Sequence, residues 1–169
     1  MRRWWAPFQC VSVDLQDFGK GKATAMGNRY LLVVMCEFSR WVQLFPLPAK
    51  EAQLVANAIV YGWMKTWGVM ECLLMDPGRE FDNHVLRLVC KMVGVKRLFT
   101  AAGQKNANAR NERVHRVINE LLNIYCAMDG NVFDWDSERK LAIVEWKLRS
   151  SAVQSTGSSL GWGVWRRRS

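Results

Sequence analysis

The sequence predicts an α/β domain, a mixed sheet covered by helices, on three observations. Apolar residues follow strand patterns from Phe8 to Phe45, and from Lys50 to Phe99 helical spacing alternates with two short apolar runs. After that, Val114, Val117, Ile118, Leu121, Leu122 and Tyr125 form one apolar stripe at helical spacing. Three strands, a helix, a strand, a helix, a strand and then helices describe a mixed sheet with helical layers.

The first strand is read from Phe8 to Leu15, where alternation puts Val11, Val13 and Leu15 on one face and Cys10, Ser12 and Asp14 on the other. Turn formers from Asp17 to Lys22, then Gly27 and Asn28, separate it from the apolar run Tyr30 to Cys36. An unbroken apolar run suits an interior strand buried on both faces. Trp41 to Phe45 is a third strand, expected to stop at Pro46 and Pro48, and the short connections predict an antiparallel meander.

Leu54, Val55, Ala58, Ile59 and Gly62 then mark a helix between Lys50 and Trp67, ended by Gly68. Glu71 to Met75 is a short strand running into Asp76-Pro77-Gly78. Phe81, Val85, Leu88, Val89 and Met92 mark a second helix closed by Gly94, and Val95 to Phe99 supplies a fifth strand. Thr100 to Ala109 is small, polar and without periodicity, which predicts a mobile loop before the striped helix. Opposite that stripe, at about 100° per residue, fall Glu112, Arg116, Asn119 and Asn123. A last helix is expected over Trp135 to Leu148, giving a core of residues 1–150 and a Ser/Gly-rich, basic tail of 151–169.

The charge balance, 24 Lys and Arg against 15 Asp and Glu for a net +9, favours polyanionic partners such as nucleic acid. No apolar run approaches the roughly 20 residues that cross a bilayer, so no membrane partner is expected and an intracellular location is. Five scattered cysteines without a Cys-x-x-Cys pair speak against a disulfide framework or a zinc finger and predict buried, reduced thiols. His84 and His115 lack a ligand cluster in sequence and are assigned surface or helix-polar roles. Of the nine tryptophans, Trp41, Trp63 and Trp67 are assigned to the core, whereas Trp4, Trp5, Trp162 and Trp165 are terminal.

Three acids stand where ordered structure gives way to loop: Asp14 near the end of the first strand, Asp76 just past the fourth, and Glu112 entering the striped helix. Ligand sites gather beyond strand ends, and neighbouring first and fourth strands bring the two aspartates together. Carboxylates suit Mg²⁺, a hard cation that takes oxygen ligands and keeps several waters. Two such ions about 4 Å apart activate the attacking oxygen and stabilise the leaving one in displacement at phosphorus. Residue chemistry alone leaves a second reading open, in which Asp14 caps a turn, Asp76 starts the Asp-Pro-Gly turn and Glu112 is a solvated acid near a helix N-terminus.

Several motifs in order decide between these readings. Val11-Ser-Val-Asp14-Leu, Arg29-Tyr-Leu-Leu-Val-Val with Phe38-Ser-Arg-Trp41, Leu73-Leu-Met-Asp76-Pro-Gly-Arg-Glu-Phe-Asp-Asn83 and Asn111-Glu112-Arg113 resemble the integrase catalytic core of gypsy-type retrotransposons and retroviruses. The similarity runs from Pro7 to about Arg167, and 35 residues lie between Asp76 and Glu112, the spacing that names the family's acidic triad. The resemblance implies a ribonuclease-H-like fold, a five-stranded mixed sheet flanked by helices on both sides. It also implies Asp14, Asp76 and Glu112 as catalytic residues holding two Mg²⁺ or Mn²⁺ ions, with Asp14 bridging both.

The implied activity is DNA integration, in which a water trims the 3′ end of element DNA and the freed 3′-hydroxyl attacks target DNA. Double-stranded DNA, a homodimer or higher oligomer, and a nuclear integration step follow from the same resemblance. Asn108, Arg113 and Arg116 are the residues assigned to DNA, Arg116 having the alternative of pairing with Glu120 on its own helix. The chain departs from the family pattern at Gln104 to Ala109, where a His-Pro-Gln-x-Asn-Gly run usually stands and only Asn108 is kept. It departs again at Cys36, usually an acid, and at Leu160 and Trp162. Two other readings stay open: a catalytically weak module of the same fold used for DNA binding or dimerisation, and a nuclease that cuts without joining.

Overall fold

The computed structural model describes residues 6–78, 81, 84–99, 105–131 and 133–156, with side chains at all of these except 85, 105–111 and 151–156. Five strands form one sheet: β1 (Cys10–Asp17), β2 (Tyr30–Cys36), β3 (Val42–Leu47), β4 (Cys72–Met75) and β5 (Lys96–Phe99). Their order is β3-β2-β1-β4-β5. The first three form the expected antiparallel meander, and β4 and β5 add to β1 in parallel.

The helices are α1 (Ala52–Asn57), a π-helical segment (Ala58–Met64), α2 (Lys65–Trp67), α3 (His84–Met92), α4 (Lys105–Met128) and α5 (Glu138–Thr156). The α1, π and α2 pieces follow one another without a gap over the predicted first helix, and Gly68 ends it in a left-handed turn with φ 86°. The π segment carries Gly62 beneath the Phe45 ring. A wider helical turn is a recognised way to seat an irregular contact.

Alternation along β1 sorts two cores. Val11 and Val13 pack with Val34, Ile59, Trp63, Met75 and Phe81 on the face covered by the α1–α2 stretch and α3. On the other face Leu31, Val33 and Leu44 pack with Ile118 and Leu122 of α4 and with Leu141 and Val144 of α5. At about 25 cal/mol per Å² of apolar area removed from water, these two layers are the main force holding the sheet. Trp63 is fully buried, and Phe8, Trp41 and Trp67 gather round it, with the Phe8 and Trp67 rings stacked at 5.3 Å. The other four tryptophans considered, Trp4, Trp5, Trp162 and Trp165, lie outside the described residues. All five cysteines are buried and unbridged.

Several boundaries differ from expectation. β1 starts and ends two residues later than predicted, so Asp14 lies within the strand. β3 continues through Pro46 to Leu47 because it is an edge strand, where a missing N–H interrupts no outer ladder. Residues 105–109, expected in a loop, belong to α4, and Glu112 stands past its first turn instead of at its start. The physical reason is composition: Lys105 to Ala109 holds neither Pro nor Gly and includes two alanines. Residues 100–104 lie outside the described residues. α5 starts at Glu138 and runs on to Thr156, through the boundary expected at 150, and the rest of the tail lies outside the described residues.

Candidate active site

Parallel pairing places the two aspartates. The β1–β4 register runs from Cys10 opposite Cys72 to Val13 opposite Met75, so Asp14 and Asp76 are the next residue on each strand. Val13 and Met75 both point into the α1–α3 core, so by alternation the next residues turn to the opposite face, the one that α4 crosses. Asp14 and Asp76 are both half-buried.

α4 reaches this face through a line of polar contacts. His115 Nε2 lies 2.8 Å from Asp14 Oδ2, and His115 Nδ1 lies 2.8 Å from Gln16 Oε1. The Gln16 amide donates to Asn119 Oδ1 one helical turn further on. The other Asp14 oxygen, Oδ1, accepts the backbone N–H of Leu15 at 2.8 Å. Glu112 sits three residues before His115 on the same side of the helix and is exposed. Among the described residues, no three His, Cys, Asp or Glu side chains converge closely enough to hold an ion between them.

The donor set nevertheless suits a hard divalent cation. One carboxylate lies within β1, a second directly follows β4 beside it, and a third lies on the helix that crosses this face, and a catalytic Mg²⁺ site completes its shell with waters and substrate phosphate instead of a full protein cage. Arg113 and Arg116 are exposed on α4, and Asn108 falls within α4 with its side chain outside the described residues. Below the histidine contacts opens a cleft of about 580 Å³, lined by Gln16, Phe18, Lys22, Asn119, Asn123 and Trp135 among others. At its rim Asp17 pairs with Arg29, whose guanidinium hydrogen bond holds the Asp17 carboxyl below its ordinary value.

Sequence reasoning expected neighbouring first and fourth strands, as the sheet order has them, and put Glu112 at the start of a helix that in fact begins at Lys105. It missed the contacts of Gln16 and of His115, for which the sequence suggests only a surface or helix-polar role. The available signal was phase: His115 and Asn119 share the polar face of α4 with Glu112, and Gln16 shares the face of Asp14 on β1.

No family model matches the chain. It is 29% identical over 129 residues to the retrovirus-related Pol polyprotein from transposon 412 of Drosophila melanogaster, a stretch that is 76% of this chain and 10% of that protein. It is 30% identical over 128 residues to the Gag-Pol polyprotein of woolly monkey sarcoma virus, 76% of this chain and 8% of that protein. The chain thus corresponds to a small part of the length of these relatives.

Among solved structures, the HTLV-2 integrase catalytic core domain in complex with magnesium, in its trimeric form, superposes with a TM-score of 0.67 at 17% identity, covering 86% of this chain and 87% of that one. A chain of the simian T-cell lymphotropic virus intasome in complex with PP2A regulatory subunit B56 gamma superposes at 0.72 with 15% identity, covering 87% and 50%. The five-stranded mixed sheet of those cores is the ribonuclease-H-like sheet found here. The chain is a relative of retroviral and transposon Pol polyproteins, built on the fold of the retroviral integrase catalytic core.

Proposed function

We propose that this chain is an integrase-type polynucleotidyl transferase core, in which Asp14, Asp76 and Glu112 hold Mg²⁺ or Mn²⁺ for 3′-end processing and strand transfer of element DNA. The observation that carries the reading is the placement of Asp14 and Asp76 one step past the last β1–β4 pair, on the face crossed by the helix that bears Glu112. The magnesium complex among the structural neighbours supports a divalent cation, and the intasome supports DNA and higher assembly as partners.

When bound, two divalent ions supply Lewis-acid activation of the attacking oxygen and neutralise charge on the leaving one. The chain's own residues supply placement. Asp14, paired with Val33 in the sheet, and Asp76, the residue directly after β4, present carboxylate oxygens side by side, and Glu112 approaches from α4. Arg113 and Arg116, exposed on α4, are positioned to meet DNA phosphate, and the net charge of +9 draws the duplex in. A homodimer or higher oligomer acting on nuclear DNA belongs to the same proposal.

The test is strand transfer on duplexes that mimic element ends, with Mg²⁺ or Mn²⁺. Asp14→Asn, Asp76→Asn and Glu112→Gln are each expected to abolish joining while circular dichroism and melting stay unchanged. Full activity in any one of these well-folded variants overturns the assignment of that residue.

A further inference from the structure

The contacts from Asn119 through Gln16 and His115 to Asp14 tie two turns of α4 to β1, and they end on a carboxylate oxygen. We propose that His115 is a positioning residue for Asp14, fixing its carboxylate in the orientation that accepts a divalent cation. The proposal rests on the reading of Asp14 as a cation ligand given above.

A carboxylate oxygen accepts hydrogen bonds, so at the 2.8 Å contact the His115 ring donates through Nε2 to Asp14 Oδ2. The opposite ring nitrogen, Nδ1, faces the amide oxygen Oε1 of Gln16 at 2.8 Å, and the Gln16 amide nitrogen is itself anchored on Asn119, so the imidazole is contacted at both ends. Asp14 Oδ1 takes the Leu15 N–H. Each of these contacts fixes the direction of one carboxylate oxygen, and an ionised carboxylate offers about four acceptor sites in all.

The same contact also fixes distance. His115 and Glu112 lie one turn apart on one helix face, so clamping His115 to β1 sets how far Glu112 stands from Asp14. Partners that hold a ligating side chain in place change metal affinity about 10- to 100-fold when removed.

The experiment titrates the 169-residue chain with Mn²⁺ and reads free Mn²⁺ by electron paramagnetic resonance, alongside thermal melting. Wild type is expected to bind, Asp14→Asn to lose binding, and His115→Ala to bind about 10- to 100-fold more weakly. His115→Gln, whose amide N–H can donate to the carboxylate, is expected to recover part of the loss. Wild-type affinity in His115→Ala overturns the proposal, as does a His115→Gln variant no better than alanine when both lose melting temperature equally, because that pattern marks a helix-docking contact. Failure of the wild type to bind, or undiminished binding by Asp14→Asn, removes the cation reading of Asp14 itself.

Discussion

Gly62 faces Phe45 so closely that a β-carbon on the glycine would stand 2.3 Å from the ring's Cε1. The ring belongs to β3 and the glycine to the π segment, so the absent side chain lets helix and sheet approach. Gly62→Ala gains helix propensity worth about 1 kcal/mol but drives an atom into an aromatic ring, and overpacking costs about 1–3 kcal/mol. The expected net is a loss of up to about 2 kcal/mol by urea unfolding, relieved when Phe45→Leu is added.

Lys140 is buried, and its ammonium bonds Asp134 at 3.1 Å and Asp129 at 3.2 Å. Burial alone would depress it, but the two carboxylate bonds outweigh that and raise it above its ordinary value. Asp129→Asn with Asp134→Asn leaves the ammonium uncompensated and is expected to cost about 2–3 kcal/mol, below the range for fully buried pairs because both acids are partly solvated. Lys140→Met keeps the volume without the charge and should fall within about 1 kcal/mol of wild type. A double variant as stable as wild type would sink this reading.

Glu145 is pushed up from its ordinary carboxyl value by burial, against the opposing pull of the Leu44 N–H and Arg149. A group whose folded value is raised adds stability that is fully present below its unfolded value, 4.5, and lost as pH climbs through the folded one. The stability of wild type relative to Glu145→Gln should therefore be greatest below pH 4.5 and decline as pH rises through the folded value, read by denaturant unfolding across that window. A difference that grows with pH contradicts it.

The thiols give a kinetic readout. Burial pushes Cys10, Cys90 and Cys126 up, Cys10 furthest, so little reactive thiolate exists at neutral pH. In native protein at pH 8 the five cysteines should resist a thiol reagent, and all five should react after unfolding in guanidinium. Fast labelling of Cys10 in native protein would show that the β1–β4 layer opens.

The sheet was legible because its signals are local. Alternation in β1 named both of its faces, and the unbroken apolar run of β2 named an interior strand. The aspartates followed from topology, since a parallel β4 beside β1 sets Asp76 next to Asp14. Contacts across the chain were not legible: His115 and Asp14 are 101 residues apart and Gln16 and Asn119 are 103, and no periodicity in either segment names the other. The start of α4 was misjudged because small polar residues without Pro or Gly read alike as loop and as a helix end, and packing makes the choice. The β3 boundary failed for a related reason, since Pro46 ends an interior strand but not an edge one.

The outer rim of β3 shows what α5 does besides filling the core. Glu145 accepts the Leu44 N–H at 2.7 Å, and Arg149 donates to the Val42 carbonyl at 2.9 Å through Nε. Those are the strand's outward backbone groups, so side chains from one helix occupy the positions a further strand would use, and Pro46 removes another donor from the same rim. Strand-by-strand addition of a second molecule is blocked on that side, and a chain cut before Glu145 is prone to sheet-edge aggregation there.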